Sequence, residues 1–158
     1  MNKFILDVTC GGKTMWFDGF EDFVIFADKR KVQHQLNYKK NKQLINILPD
    51  VVLDSKRLPF KDNHFKLVVF DPPHRTFSEK SIMAKKYGVL EKNFQKFLQE
   101  SVDECFRVLE KNGILIFKWA ESSIKVKNVL EAINKKPMFG HKTSKNTIWL
   151  LFMKLEKV

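Results

Sequence analysis

Short apolar runs that end on an acid punctuate the first half of the chain. Phe4-Ile5-Leu6 leads to Asp7, Phe23-Val24-Ile25-Phe26-Ala27 to Asp28, Val51-Val52-Leu53 to Asp54, and Leu67-Val68-Val69-Phe70 to Asp71. Runs of this length, rich in β-branched and aromatic residues, predict buried strands, here near 3–8, 22–27, 49–53 and 66–70. Two more strands are expected near 113–119 and 147–154, and a shorter one near 137–141. The helical period is clearest over 91–110, where Phe94, Phe97, Leu98, Val102, Cys105, Phe106 and Leu109 recur every three or four positions and Gly113 follows as a stop. A weaker helix is expected over 123–135, and Lys13 to Glu21 is short for a crossover helix, so one turn or an irregular segment is expected there. Strands alternating with helices predict an α/β domain. Right-handed crossovers would then build a mostly parallel sheet with a C-terminal antiparallel hairpin.

The amount of apolar material sets the domain count. With 158 residues, 44% hydrophobic and 15 of them Phe, residues 1–158 suffice for one core and not for a second. No repeat, low-complexity segment or linker divides them, and no room is left for a separate target-recognition domain. No stretch approaches the roughly 18 consecutive apolar residues of a membrane span, and the N-terminus runs directly into a strand, so neither a span nor a signal peptide is expected. Cys10 and Cys105 are the two cysteines. They read as reduced thiols of a cytoplasmic protein, and no metal-ligand spacing is present.

Candidate chemistry concentrates where the strands end. In Asp71-Pro72-Pro73-His74 the two prolines lack backbone N–H groups and fix φ, so they stop the strand and hold Asp71 in a rigid turn. Open α/β sheets bind ligands at such carboxyl ends. The Asp71 side chain and the Pro72 carbonyl make two neighbouring acceptors, suited to an exocyclic amino group, while the His74 ring could stack on its base. The plainer alternative is an ordinary loop opener. Upstream, Asp7-Val8-Thr9-Cys10-Gly11-Gly12 reads as a cofactor loop, its glycines allowing close backbone approach. Asp28 closes the next strand about 20 residues on, where a carboxylate can accept both hydroxyls of a ribose.

On these motifs the chain resembles the class I S-adenosylmethionine-dependent methyltransferases, a Rossmann-like fold. It is most similar to members with a D/N-P-P-aromatic motif that methylate amino groups on nucleic acid, in particular small enzymes of phage and prophage genomes. The resemblance covers roughly residues 3–154. It implies S-adenosyl-L-methionine as cofactor, its methionine part held by Asp7, Thr9, Cys10 and Gly11, its ribose by Asp28 and its adenine near Asp54, with Asp71 bordering the same site. Asp71, Pro72, Pro73 and His74 would be the catalytic motif, acting on N6 of adenine or N4 of cytosine in DNA or RNA. Leu58 to Phe65 is similar to the family's turn into the fourth strand. Two departures stand out: Thr9 and Lys13 replace the outer glycines of the family's first loop, and His74 replaces the usual Tyr, Phe or Trp.

Charge adds a partner. Lysine and arginine number 29 against 18 acids, a formal +11 with a pI near 9.7, which favours polyanions through phosphate neutralisation and counterion release. Lys29-Arg30-Lys31, Lys39-Lys40-Asn41-Lys42 and Lys85-Lys86 fall in expected loops at or beside strand carboxyl ends. They suggest a nucleic-acid-binding face, the alternative being solvated surface lysines. Residues 75–88, following the Pro-Pro turn, mix rings (Phe77, Tyr87) with cations (Arg75, Lys85, Lys86), as single-strand or flipped-base binders do. An active-site lid over a small molecule is the alternative. Trp119, next to Lys118, either lines the substrate pocket or caps the sheet as a core residue. Met15-Trp16-Phe17 either meets the cofactor or packs on the sheet, and His34, His64 and His141 read as surface or structural residues. Without a recognition domain, target choice falls to loops, to substrate structure, or to a homodimer or partner subunit. A methyltransferase of small molecules or protein side chains, and a non-catalytic nucleic-acid-binding protein on the same fold, remain alternatives.

Overall fold

The computed structural model describes residues 3–38, 41–76, 78 and 81–155. In chain order the elements are β1 (Ile5–Asp7), β2 (Val24–Asp28), β3 (Val32–Tyr38), β4 (Asn41–Ile47), β5 (Val51–Val52), β6 (Phe65–Phe70), α1 (Ile82–Tyr87), α2 (Phe94–Val108), β7 (Leu109–Ala120), α3 (Val126–Ile133), β8 (Phe139–Lys142) and β9 (Thr147–Met153). Seven strands form one sheet in the order β5-β2-β1-β6-β7-β9-β8, with β3 and β4 paired separately as an antiparallel hairpin. Only β9 runs against its neighbours in the large sheet. The α/β architecture with its C-terminal antiparallel hairpin is therefore as the sequence predicts. From β1 the chain adds strands outward to β2 and β5 and then returns to the other side of β1 with β6, which places a topological switch point at the carboxyl ends of the parallel pair β1 and β6.

The sheet's two faces differ. Register aligns Leu6, Val68, Leu115 and Phe152 in one row, and all four are buried to 1% exposure or less. With Phe70, Phe117 and Trp119 they pack under α2, through Phe97, Leu98, Val102 and Cys105, and under α3, through Val129 and Ile133. The rows on the other face hold Ile5, Leu67, Ile114 and Met153, then Asp7, Val69, Ile116, Leu151 and Phe139. Ile114, Ile116, Leu151 and Met153 are only partly buried, and Phe139 is 64% exposed.

The end of α2 and the placement of two basic clusters differ from the sequence reading, and the β3–β4 hairpin is not among the elements it predicts. Gly113 lies inside β7 and does not stop α2, which ends when Leu109 turns extended. A Cβ at Gly113 would lie 2.8 Å from the Glu110 carbonyl oxygen and 3.2 Å from that of Lys66, so the glycine is required by close strand packing. Of the basic cluster expected in a loop, Asn41 and Lys42 begin β4, while Lys39 and Lys40 lie outside the described residues. Lys85 and Lys86 form the last turn of α1, a helix opened by the Ser81 side chain accepting from the Ala84 amide at 3.0 Å and closed by Gly88 at φ 77°. Residues 13–21 form turns, consistent with the irregular segment expected.

Candidate active site

The loop after β1 is built around Asp7, which is fully buried. Its two carboxylate oxygens accept from the Thr9 amide at 3.1 Å and the Trp16 indole Nε1 at 2.8 Å. Burial pushes this carboxyl up to about 7 against the pull of those hydrogen bonds, with the charges of Asp71 and Asp28 adding to the rise. Asp7 thus shapes the loop from beneath and is not part of the cavity wall. Gly11 adopts φ 50°, a left-handed conformation natural to glycine, and its amide donates to Asp28 Oδ2 at 3.1 Å. Cys10 faces the cavity, but burial first, then Asp7 and Asp28, push its thiol up to about 12, so it is a neutral wall group. Thr9 takes up a task no glycine could perform, since its Oγ1 accepts from the Asp71 amide at 2.7 Å and so joins the first loop to the Pro-Pro turn.

Asp28 ends β2 with 3% exposure. Oδ1 accepts from the Arg30 amide at 2.9 Å and Arg30 Nε at 3.0 Å, and Oδ2 accepts from Arg30 Nη2 at 3.2 Å besides Gly11. A carboxylate offers about four lone-pair sites, and here all are used. The Arg30 guanidinium also donates through Nη1 to the Lys85 carbonyl at 3.3 Å, tying the end of β2 to α1.

Asp71 sits across the opening. Its Oδ2 is 2.6 Å from Lys118 Nζ, which also lies 5.5 Å above the Trp149 ring. Lys118 is the residue that a sequence reading centred on Trp119 passes over, and strand alternation separates the two. Lys118 faces the cavity, whereas Trp119 is fully buried, donating through Nε1 to the Ile124 carbonyl at 2.9 Å and stacked on Phe117. Of its two readings, the structure corrects the pocket-lining one: Trp119 is the core residue that caps the sheet, and its edge meets the His74 ring at 6.2 Å.

Thr9, Cys10, Gly11, Asp28, Asp71 and Lys118 border one cavity of about 500 Å³ at the carboxyl ends of β1, β2 and β6. Comparison with solved structures then settles the fold. A SAM-dependent methyltransferase from Methanosarcina mazei superposes with a TM-score of 0.57 at 11% identity, over 97% of this chain and 92% of its own. The N-methyltransferase NodS from Bradyrhizobium japonicum WM9 gives 0.57 at 11% identity, over 96% and 85%. An rRNA methylase from Streptococcus thermophilus gives 0.55 at 11% identity, over 96% and 87%. No family model and no curated protein sequence matches the chain. The chain has the class I methyltransferase fold.

Within that methyltransferase fold, the other residues singled out from sequence take varied positions. Asp54 does not line the cavity although its neighbours Leu53 and Ser55 do. Its side chain pairs with Lys29 at 3.2 Å and is 37% exposed. Pro72 is buried, while Pro73 and His74 form the wall beside Asp71. Arg75 borders a second cavity of about 180 Å³, lined also by His74, Met83, Tyr87 and Gly88. Lys86 lines the main cavity, and Lys85 contributes its carbonyl to Arg30. Phe77 lies outside the described residues. The wall that sequence reasoning missed is β4, where Leu44, Ile45, Asn46 and Ile47 line the cavity. The apolar run from Leu44 to Leu48 was the available signal for it. Among the described residues no group of three His, Cys, Asp or Glu could hold a metal ion, and no helix is long and apolar enough to cross a membrane.

Proposed function

We propose that this chain is an S-adenosylmethionine-dependent methyltransferase acting on an exocyclic amino group of a base, N6 of adenine or N4 of cytosine, in DNA or RNA. The observation that carries the reading is Asp71, which stands in a proline-locked turn on the cavity wall with one oxygen fixed by Lys118. Its other oxygen bonds no other described residue. The residues present fit the cofactor: a left-handed turn at Gly11 beside a buried carboxylate, and apolar flanks at Leu53 and Phe97, share one cavity. The loop Thr9–Gly12 would hold its methionine part, Asp28 its ribose, once Arg30 has moved aside, and Leu53, Ser55 and Phe97 its adenine. When bound it supplies an electrophilic methyl group.

The chain's own part is orientation and proton handling. An amine conjugated to a heterocycle is a weak nucleophile because its lone pair is delocalised. Hydrogen bonds from that amine to Asp71 Oδ1 and the Pro72 carbonyl localise the pair and aim it. As nitrogen gains the methyl it loses a proton, to Asp71 or through it to water, while Lys118 holds the carboxylate in place. In a duplex the base would first be flipped out. The +11 charge supports a polyanionic substrate, with Arg30, Arg75 and Lys86 around the two cavities. A small-molecule or protein acceptor is the second reading, favoured by His74, whose ring is held edge-on by Trp119.

The test is methyl transfer from labelled S-adenosylmethionine to unmodified DNA and RNA, digested to nucleosides. The expected result is label in N6-methyladenine or N4-methylcytosine, absent with Asp71→Ala although that variant retains affinity for S-adenosylhomocysteine. Asp28→Ala should lose that affinity. No label in either polymer, with cofactor bound, would refute the nucleic-acid reading in favour of the second.

A further inference from the structure

The connection from β2 to β5 is unlike the rest of the chain in composition. Residues 29–49 hold six cations and six side-chain amides but not one acid, in a chain where 18 acids are spread over 158 residues. The β3–β4 hairpin makes up most of that segment, so the excess surrounds a single two-stranded ribbon. Its register sorts the side chains onto two faces. On one, Val32 lies opposite Ile47, and both pack with Ile45 against Ile82 of α1. On the other, Gln33 lies opposite Asn46 and Gln35 opposite Leu44. All four of these are exposed, Leu44 by 59%.

The exposed face stands beside the chemistry. Leu44 and Asn46 line the main cavity, so the open face of the ribbon runs on into the cavity mouth. The packed face fixes this arrangement, because the hairpin rests on α1, and a Cβ at Gly88, where α1 ends, would lie 2.9 Å from Pro73 Cγ. Through α1 the ribbon thus has a set place relative to the turn that carries Asp71.

We propose that the β3–β4 hairpin reads the target, entering the major groove of duplex DNA with Gln33, Gln35 and Asn46 toward the base edges. This rests on the nucleic-acid reading above and assigns its polymer and its source of specificity. A side-chain amide offers a donor and an acceptor in one plane and matches the N6/N7 edge of adenine, while an aliphatic group such as Leu44 suits the thymine methyl. Two strands about 4.8 Å apart fit the roughly 12 Å major groove of B-DNA, whereas the A-form groove of RNA is too narrow to admit them. No described side chain of this face is aromatic, so it gives unpaired bases nothing to stack on. Lys31, exposed where the ribbon begins, supplies a phosphate contact.

The test gives the full chain S-adenosylmethionine and duplex DNA with randomised positions. Molecules recovered with antibodies to N6-methyladenine or N4-methylcytosine are sequenced. The parent should favour particular bases beside the methylated one by about fivefold or more. Gln33→Ala combined with Gln35→Ala should reduce that preference to less than about twofold while transfer to DNA persists. Lys31→Gln should keep the preference and lower the slope of log affinity against log salt by about 1. Both variants should bind S-adenosylhomocysteine within about twofold of the parent, since none of the three residues lines either cavity. A parent without base preference, a preference that survives the double substitution, or transfer confined to RNA or single strands would overturn the ribbon's role and leave the methyltransferase reading standing. If a chain that binds S-adenosylhomocysteine methylated no nucleic acid at all, the nucleic-acid reading would fall, and the ribbon's role with it.

Discussion

The same strands build both faces of the central sheet, and the two faces end in different states. Along β7, Leu115, Phe117 and Trp119 are fully buried, whereas their neighbours Ile114 and Ile116 are only partly so. Composition does not explain this, because both sets are apolar. Cover does. α2 and α3 lie on the first face, while on the second the segment after β1 reaches only the β1–β2 side, where Trp16 meets Phe26 edge-on at 5.5 Å beside Cys10 and Val24. The connections that could have formed helices over the second face do something else. The β1–β2 connection turns at Gly11 to meet Asp28, and the connection from β2 to β5 is the β3–β4 hairpin whose second strand walls the cavity. The lesson is that a short chain of this fold can build its pocket from segments that would otherwise shield the sheet.

The adjacent pair Phe117 and Ile116 gives the largest expected contrast. Phe117→Ala should destabilise by about 3–5 kcal/mol, the usual range for a large cavity in a packed core. Ile116→Ala should cost less, about 2 kcal/mol, the low end for truncating a large aliphatic side chain, since Ile116 is only partly buried and leaves no closed cavity. Urea unfolding of both variants measures the difference, and equal losses would mean that the second face is covered in solution. A second contrast lies in pH. Asp7 belongs to the second face but is sealed under Trp16, and burial pushes its carboxyl from the ordinary 3.8 up to about 7. The folded chain therefore binds a proton that the unfolded chain releases, so this stabilisation is complete below about pH 4 and lost as pH rises through about 7. Asp7→Asn should flatten that part of the stability–pH curve, and an unchanged slope would place the charge elsewhere. The smallest effect concerns the cover itself. Asn93 caps α2 by accepting from the Lys96 amide at 3.2 Å, and Asn93→Ala should cost about 1 kcal/mol by thermal or urea unfolding.

What could be read from the sequence follows the same division. Strands buried within a parallel sheet are continuous apolar runs, so β1, β2, β5 and β6 are legible together with the acids at their ends. The hairpin is not, because Val32-Gln33-His34-Gln35 is largely polar and, among the described side chains of β4, Ile45 and Ile47 alone are deeply buried. The helix α2 is legible from its period, but its end is not, since Gly113 answers to the Lys66 and Glu110 carbonyls, a contact between β6 and β7. At the site, Asp28 and Asp71 could be placed at the pocket from their motifs. Their cations could not be paired with them: Lys118 reaches Asp71 across 47 positions, and its choice over Trp119 depends on strand parity, which a sequence fixes only once the register is known.

Arg30 has a consequence for any binding measurement on this cavity. Because its guanidinium takes two of the lone pairs of Asp28, one on each oxygen, it behaves as a tethered competitor present at a fixed, high local concentration. A hydroxyl-bearing ligand gains Asp28 only by exchange, so its observed affinity is the difference between two pairings and understates the strength of the new one. The exchange also breaks the bridge to the Lys85 carbonyl. The filling of one carboxylate thereby sets free a positive charge and a helix end at the entrance to the cavity.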